Sequence, residues 1–376
     1  MKKFIFCSGE VLSDNCLAIF EKMKRENIRG KYIWLCSSKE DIDLGKKKLK
    51  QNSSNIDIKD TYFYKKNSIK GILSYYLSNY VFYTAGLFEK LPRSPLHKKI
   101  NLWHGMPLKK IGKQIDENAV FNFDNVLSNG SIFDNVISNS FDVDENKVLN
   151  IGSPRNDFLK EVIDFSFKEI FFNDDKVICW LPTFRRNTFS SEQNGKFQDN
   201  SMGIISFDEF DELNFFLEKN NLNLLIKLHP MDVLNENSFF TDFNDTYTRI
   251  KIMTNKNNLL RNIYFYKCLQ FSSALITDYS SIYFDYLILE KPIGIVNNDV
   301  SEYQENRGIV KEIYNEMEKS NLIIDKKDFY KFMSNLNDET SVQNMKIQSA
   351  NQKEIFQSYD LSPDNSKKIL QEIGLL

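Results

Sequence analysis

The run Leu275-Ile276-Thr277-Asp278-Tyr279-Ser280-Ser281-Ile282-Tyr283-Phe284-Asp285-Tyr286-Leu287 sets two serines and two carboxylates where a short apolar strand turns into a helix that is apolar on nearly every face. In helical spacing Asp278, Ser281 and Asp285 fall on one side. Ser280 and Ser281 bring hydroxyls to a helix start whose first N–H groups lack partners. That chemistry suits an anion, phosphate above all. The same residues also make an ordinary cap, with Asp278 or Ser280 satisfying the helix end and Asp285 paired in the core. Both readings stand on spacing alone.

Two further strand ends in the second half carry cations and hydroxyls. Val177 to Leu181 leads into Pro182-Thr183-Phe184-Arg185-Arg186, and Leu222 to Leu228 ends in Lys227-Leu228-His229-Pro230, where alternation points Lys227 and His229 to one side. With the Asp278 to Ser281 turn, these form a collar of the kind a diphosphate needs, above all where a leaving phosphate gains charge. The first half contributes His104, set at the end of the strand Ile100 to Trp103 and followed by Gly105 and Pro107. Open α/β sheets place working groups there, and an imidazole suits proton abstraction from a hydroxyl. A strand-end histidine bonded to a loop is the alternative. Lys109, Lys110 and Lys113 make either a solvated face or a place that receives a phosphate-bearing acceptor. Gly152-Ser153-Pro154-Arg155-Asn156-Asp157 offers a glycine that lets backbone approach a ligand and a proline suited to helix entry.

The elements that must carry these groups alternate. Strands are expected at Phe4 to Cys7, Tyr32 to Cys36, near Tyr62, at Tyr80 to Thr84 and at Val148 to Ile151, with helices from Asp14, through a lysine-rich stretch, and at Ile72 to Leu77. Asn125 to Ser140 reads as helical. In the second half a helix spans Phe207 to Lys219 and another lies near Asn262 to Gln270, Asn187 to Gly203 is a polar loop suited to a flap, and Pro292 to Val296 is expected as the final strand. A helical tail follows, with a break at Pro363. Alternating strands and helices imply an α/β fold with mostly parallel sheets covered on both faces.

With 376 residues, 41% of them hydrophobic, the chain can bury two cores. We expect a first domain over residues 1–155, a second over 156–341 and a tail over 342–376. The formal net charge of −2 and the lack of a basic stripe with stacking aromatics argue against nucleic acid as a partner. Cys7, Cys16, Cys36, Cys179 and Cys268 are scattered and odd in number, and read as reduced core residues in the cytosol. With only His97, His104 and His229, a zinc site of His and Cys is not expected. No stretch approaches a spanning helix and the N-terminus lacks a signal-peptide run, so the protein is expected inside the cell or on a membrane surface. The segment Ile69 to Leu102 mixes Tyr75, Tyr76, Tyr80, Phe82, Tyr83 and Phe88 with Lys90, Arg93, Lys98 and Lys99. It serves either a membrane interface or the core. Neither GxxxxGK[ST] nor GxGxxG occurs, so neither fingerprint explains the phosphate chemistry.

Five motifs in order carry a resemblance: Trp103-His104-Gly105-Met106-Pro107 with Lys109 and Gly112, Gly152 to Asp157, Pro182-Thr183-Phe184-Arg185, His229-Pro230, and Thr277 to Ser281 with Asp285 and Lys291-Pro292. Over roughly His104 to Pro292 the chain resembles the CDP-glycerol glycerophosphotransferases of teichoic acid and capsule polymer synthesis. The resemblance implies a GT-B architecture, two Rossmann-like domains facing across a cleft, with a C-terminal helix able to cross back. It implies transfer of glycerol phosphate from CDP-glycerol to a lipid-linked or polymeric acceptor at the cytoplasmic membrane surface, with release of CMP. His104 would be the base. Arg185, His229, Ser280 and Ser281 would hold the diphosphate, with His229 also steadying the leaving CMP, while Asp278 and Asp285 would orient His229 or bind donor hydroxyls. Thr183, Lys227, Lys109, Gly152 and Arg155 complete the expected substrate-binding set. No cofactor or divalent metal is required by these motifs. The chain is short beside the family's long polymerases, which leaves room for single addition. CDP-ribitol as donor, a glycosyltransferase using a nucleotide sugar, and a silent nucleotide-binding protein are the alternatives.

Overall fold

The computed structural model describes residues 1–51, 58–92, 94–183, 203–228, 239–254, 259–260, 263–357 and 364–376. Two compact units emerge. The first comprises Met1–Pro107, Ile111–Glu161 and Phe356–Leu376; the second comprises Leu108–Lys110 and Val162–Ile355. The change of unit thus falls at residues 161 and 162 rather than 155. The expected tail is divided: the helix Glu339–Phe356 belongs almost wholly to the second unit, and the last twenty or so residues to the first.

The first unit is built on a parallel sheet of β1 (Lys3–Cys7), β2 (Lys31–Cys36), β3 (Thr61–Lys65), β4 (Tyr80–Tyr83), β5 (Lys98–Asn101), β6 (Asn125–Ser128) and β7 (Val148–Asn150), in the order β3-β2-β1-β4-β5-β6-β7. Its helices are α1 (Asp14–Arg25), α2 (Lys39–Gln51), α3 (Ile69–Tyr76) and α4 (Ser131–Phe141), with Asn365–Glu372 from the end of the chain. Buried parallel strands are continuous apolar runs, and here they are aromatic. Phe6 stacks on Trp34 at 5.1 Å and on Phe82 at 5.4 Å, while Phe20 of α1 meets Phe6 edge-on at 5.8 Å. The expected helix from Asn125 is corrected: Asn125–Ser128 is β6, and the helix begins only at Ser131.

The second unit repeats the plan with β8 (Lys176–Leu181), β9 (Leu222–Lys227), β10 (Ile250–Met253), β11 (Ala274–Thr277), β12 (Ile293–Val296) and β13 (Asn321–Ile323), parallel in the order β10-β9-β8-β11-β12-β13. Its core is mainly aliphatic, with Ile178, Leu224, Ile226 and Ile276 around Trp180 and Phe329. The strand at Pro292 to Val296 is not the last, since β13 pairs beyond it; β10 was likewise not anticipated. In both sheets the order reverses beside the first strand, between β1 and β4 and between β8 and β11, and the crevice outside such a switch point is where doubly wound sheets bind ligands.

The returning tail is fastened to the first unit by charge and backbone. The carboxylate of Asp157 accepts from the amides of Asn365 and Ser366 at 2.8 and 2.9 Å, and Lys22 reaches Asp364 at 2.7 Å. Burial pushes the Asp157 carboxyl up to about 6, although the Ser366 and Asn365 donors pull the other way. A carboxyl raised in the folded state above its unfolded value gives stability that is present at low pH and lost as pH rises through about 6. Chemical denaturation followed at pH 5 and pH 7.5 should therefore show the first unit more stable at pH 5, and Asp157→Asn should flatten that difference.

Candidate functional site

Two of the expected site residues of the second unit, Thr183 and Asp278, meet at its switch point. Thr183 follows β8 and Asp278 follows β11. The backbone N–H of Thr183 donates to both oxygens of the Asp278 carboxylate at 3.0 and 2.9 Å, and its hydroxyl donates at 2.9 Å. Thr277 adds a bond from its hydroxyl to the Leu181 carbonyl at 3.0 Å. Asp278, almost wholly buried, is therefore spent on joining two strand ends rather than on capping a helix. A tight turn follows, closed by the Ser280 amide on the Asp278 carbonyl at 2.8 Å. The helix after it is shorter than expected, Ile282–Tyr286, and continues as a 3-10 turn over Leu287–Leu289. Ser280 and Ser281 are half-buried, Ser281 makes no side-chain cap, and among the described residues neither hydroxyl is used by the chain. Both are left available to a ligand. Asp285 is fully buried and accepts from the Tyr266 hydroxyl at 2.9 Å, as the core reading anticipates. Lys227, half-buried at the end of β9, holds its ammonium 5.4 Å from the centre of the Phe265 ring. Arg185 and His229 lie outside the described residues, as does most of the polar loop from Asn187.

In the first unit, His104 follows β5 and is exposed. Its Nδ1 lies 2.9 Å from the carbonyl oxygen of Thr84, the residue after β4. A carbonyl only accepts, so Nδ1 carries the proton, and in the neutral ring Nε2 keeps its lone pair for a substrate. The backbone under the imidazole is strained: Trp103 has φ +50, in the left-handed region that bulky residues avoid. Two anchors hold it. Asn15 of α1 donates to the carbonyls of Leu102 and Trp103 at 2.9 and 2.8 Å, and the Trp103 ring packs against Phe141 at 4.9 Å and the His104 ring at 4.3 Å. Arg155 completes the clamp. Its guanidinium is buried and donates to the His104 carbonyl and to Asp14 at 2.8 Å each, while its amide donates to Asn15 Oδ1 at 3.0 Å.

Two expected ligand contacts are thereby corrected. Arg155, expected at the substrate, is buried and spends its guanidinium on Asp14 and the His104 carbonyl, so it positions the histidine loop. Gly152, with φ +99, makes its close approach to Asn365 of the returning tail, whose side-chain nitrogen would stand 2.7 Å from an added Cβ. Asn15, Asp14 and Thr84 were not anticipated, and no spacing pattern marks them. Lys109 is also moved: it belongs to the second unit, paired with Ile309 in an antiparallel bridge.

The family model of the CDP-glycerol:poly(glycerophosphate) glycerophosphotransferases matches residues 2–374. The chain belongs to this family. It is a transferase of the glycerophosphotransferase type, in a family whose donor is CDP-glycerol and whose acceptor is a glycerophosphate polymer. Among relatives, it is 26% identical over 320 residues to the teichoic acid poly(glycerol phosphate) polymerase of Bacillus spizizenii, covering 80% of this chain and 74% of that protein. It is 31% identical over 175 residues to the teichoic acid poly(ribitol-phosphate) polymerase of the same species, 44% of this chain and 25% of that one. The solved wall teichoic acid polymerase TagF superposes with a TM-score of 0.71 at 21% identity, covering 99% of this chain and 88% of the other, which shows a shared fold of two Rossmann-like units.

Replacing Arg155 tests the clamp. Arg155→Met should cost about 3 kcal/mol by stripping a buried cation from Asp14 and the His104 carbonyl, read as a drop in Tm. It should lower kcat at least about tenfold through displacement of the His104 imidazole, with donor affinity unchanged in a binding titration.

Proposed function

We propose that this protein transfers glycerol phosphate from CDP-glycerol to a terminal hydroxyl of a lipid-linked or polymeric acceptor in teichoic-acid-type synthesis, and that His104 is the general base. The observation that carries the reading is the fixed imidazole: Nδ1–H held by the Thr84 carbonyl, Nε2 available and the ring exposed at a strand's C-terminal end. The acceptor hydroxyl gives its proton to Nε2 as its oxygen attacks the phosphorus next to glycerol. The bond from that phosphorus to the oxygen shared with the cytidine phosphate breaks, and CMP leaves with the electron pair. Such a transfer needs positioning and charge neutralisation above all. The Ser280 and Ser281 hydroxyls and Lys227 are suited to the diphosphate, and Arg185 and His229 join them by their place in the family's motifs; Thr183, whose N–H and hydroxyl are both spent on Asp278, leaves the expected ligand set.

The decisive experiment is CMP release from CDP-glycerol in the presence of a lipid-like glycerol phosphate acceptor, run beside CDP-ribitol and nucleotide sugars, with and without EDTA. Acceptor-dependent CMP is expected with CDP-glycerol. His104→Ala should remove at least about a hundredfold of the rate, the usual worth of a general base, while CDP-glycerol still binds. Turnover of a nucleotide sugar but of neither CDP-polyol would overturn the donor, and loss of the rate in EDTA would add a metal to the site.

A lipid-linked acceptor places the enzyme at an anionic membrane surface, and the first unit offers a face for it. Among the described residues no helix is long and apolar enough to cross a membrane. The segment from Ile69 divides between core and surface: Tyr75, Phe82, Tyr83 and the stem of Lys99 go into the core with Val81, Leu87 and Ile100, while Ile69, Leu73, Leu77 and Leu96 stay outside. Ile69 and Leu73 of α3 and Leu77, which caps its C-terminal end, recur every four residues and are 81%, 54% and 52% exposed. Leu96, 62% exposed, lies on the loop tied to the end of α3 through Ser94, whose hydroxyl donates to the Tyr76 carbonyl at 2.8 Å. Lys65 and Lys70 flank this ridge, exposed. Aliphatic residues with adjoining lysines fit an anionic bilayer. Leu73→Glu with Leu77→Glu should abolish co-sedimentation with phosphatidylglycerol vesicles and leave CMP release with a water-soluble acceptor intact; retained co-sedimentation would remove this face.

A further inference from the structure

The short crossing segment Leu108–Lys110 is woven into the second unit. Val310 donates its amide to the Leu108 carbonyl at 2.9 Å, and Lys110 donates to the Gly308 carbonyl at 3.3 Å, which fixes Lys109 opposite Ile309. Leu108 and Ile309 are buried on either side. From this rigid seat the Lys109 ammonium sits 5.4 Å from the centre of the Tyr303 ring. Tyr303 in turn stacks on Tyr279 at 4.2 Å, and Tyr279 is the residue after Asp278. The Tyr279 hydroxyl is itself anchored on Asn297 at 3.2 Å, an oxygen that also accepts from Tyr314 at 2.9 Å. A cation, two stacked rings and a bonded amide thus form one row ending at the switch-point turn.

The chemistry of that cation is incomplete. An ammonium carries three donors, and a ring face satisfies none of them fully. Among the described residues no carboxylate or carbonyl takes a hydrogen bond from Lys109. Burial pushes its pKa down; the charge of Asp278 works against that shift, and Arg307 adds to it. A half-buried ammonium held in place without an acceptor among the described residues, in the row of rings that leads to the turn whose two serine hydroxyls the chain leaves unused, calls for an anion.

We propose that Lys109 is a ligand of the donor's diphosphate and belongs to the donor-binding unit, although it lies only five residues beyond the proposed base. This deepens the reading of the site given above and rests on it for the identity of the nucleotide. The sequence left the same lysine as either part of a solvated face or a place for the acceptor; its bridge to Ile309 sets it in the unit that carries Ser280 and Ser281. Neutralisation by Lys109 binds the donor and offsets charge that grows on the departing CMP.

Isothermal titration of the full chain with CDP-glycerol, CDP and cytidine separates the possibilities. Lys109→Met should weaken CDP and CDP-glycerol by about tenfold or more, about 1.4 kcal/mol per decade, and leave cytidine unchanged. Lys109→Arg, which keeps the charge, should recover most of the loss, and Lys110→Met should bind as the parent does. Wild-type affinity for CDP in Lys109→Met would overturn the proposal, as would an equal loss for cytidine, which marks a structural role. Should the parent bind UDP and not CDP, with the UDP affinity dependent on Lys109, the proposal holds and the donor assignment above fails. If the parent binds no nucleoside diphosphate, both fall.

Discussion

The carboxylate of Asp278 is the constraint on which the second unit's chemistry depends. A buried carboxylate is tolerated only when its oxygens are satisfied, since desolvation alone costs several kcal/mol. Here the satisfying donors come from Thr183, at the end of the neighbouring strand and ninety-five residues away in sequence. The bond therefore does two things at once. It seals the switch point between β8 and β11, where the two chain directions part, and it fixes the backbone from which Ser280 and Ser281 project. Because the acid is consumed in this way, the hydroxyls beside it need not cap the following helix. A carboxylate left free at that turn would repel the very anion the serines are suited to receive.

The first unit solves the same problem with a buried cation. His104 stands on a strained backbone, and strain of this kind persists only where the surroundings over-determine it. Arg155 and Asn15 supply that by holding three successive carbonyls, those of Leu102, Trp103 and His104. In both units the candidate groups, His104 and the serines Ser280 and Ser281, are exposed or half-buried on loops, while Asp278, Arg155 and Asn15 beneath them are buried and hydrogen-bonded. Rigidity comes from below, and chemistry is presented above.

How much of this can be read in the sequence follows from which forces are local. Buried parallel strands are continuous apolar runs, so Phe4 to Cys7, Tyr32 to Cys36 and Leu222 to Leu228 are plain without any structure. β10 and β13 are short edge strands carrying Lys251 and Asn321, and β6 is four residues directly before a helix; each lacks the length that makes a period visible. His104, Asp278, Ser280 and Ser281 stand out in the sequence because their types sit at strand ends. What was not legible is which charges the fold itself consumes. Arg155 looks like a ligand for phosphate until Asp14 and Asn15, some 140 residues earlier, are seen against it. Gly152 looks like a ligand-side glycine until the tail returns to fill the space beside it.

Lys109 shows the limit most sharply. Nothing in Met106-Pro107-Leu108-Lys109-Lys110 signals that three residues leave one unit to pair with another, because the bridge to Ile309 is made some two hundred residues on. Once that pairing is known, the two neighbouring lysines separate by physics alone. Lys110 is exposed and solvated, with its charge screened by water. Lys109 is held over Tyr303 in lower dielectric, where an anion is bound more strongly by the same unit of charge. A lysine pair that reads as one basic face is thus one solubilising residue and one residue with unmet chemistry, and the difference is created by three backbone residues crossing between folds.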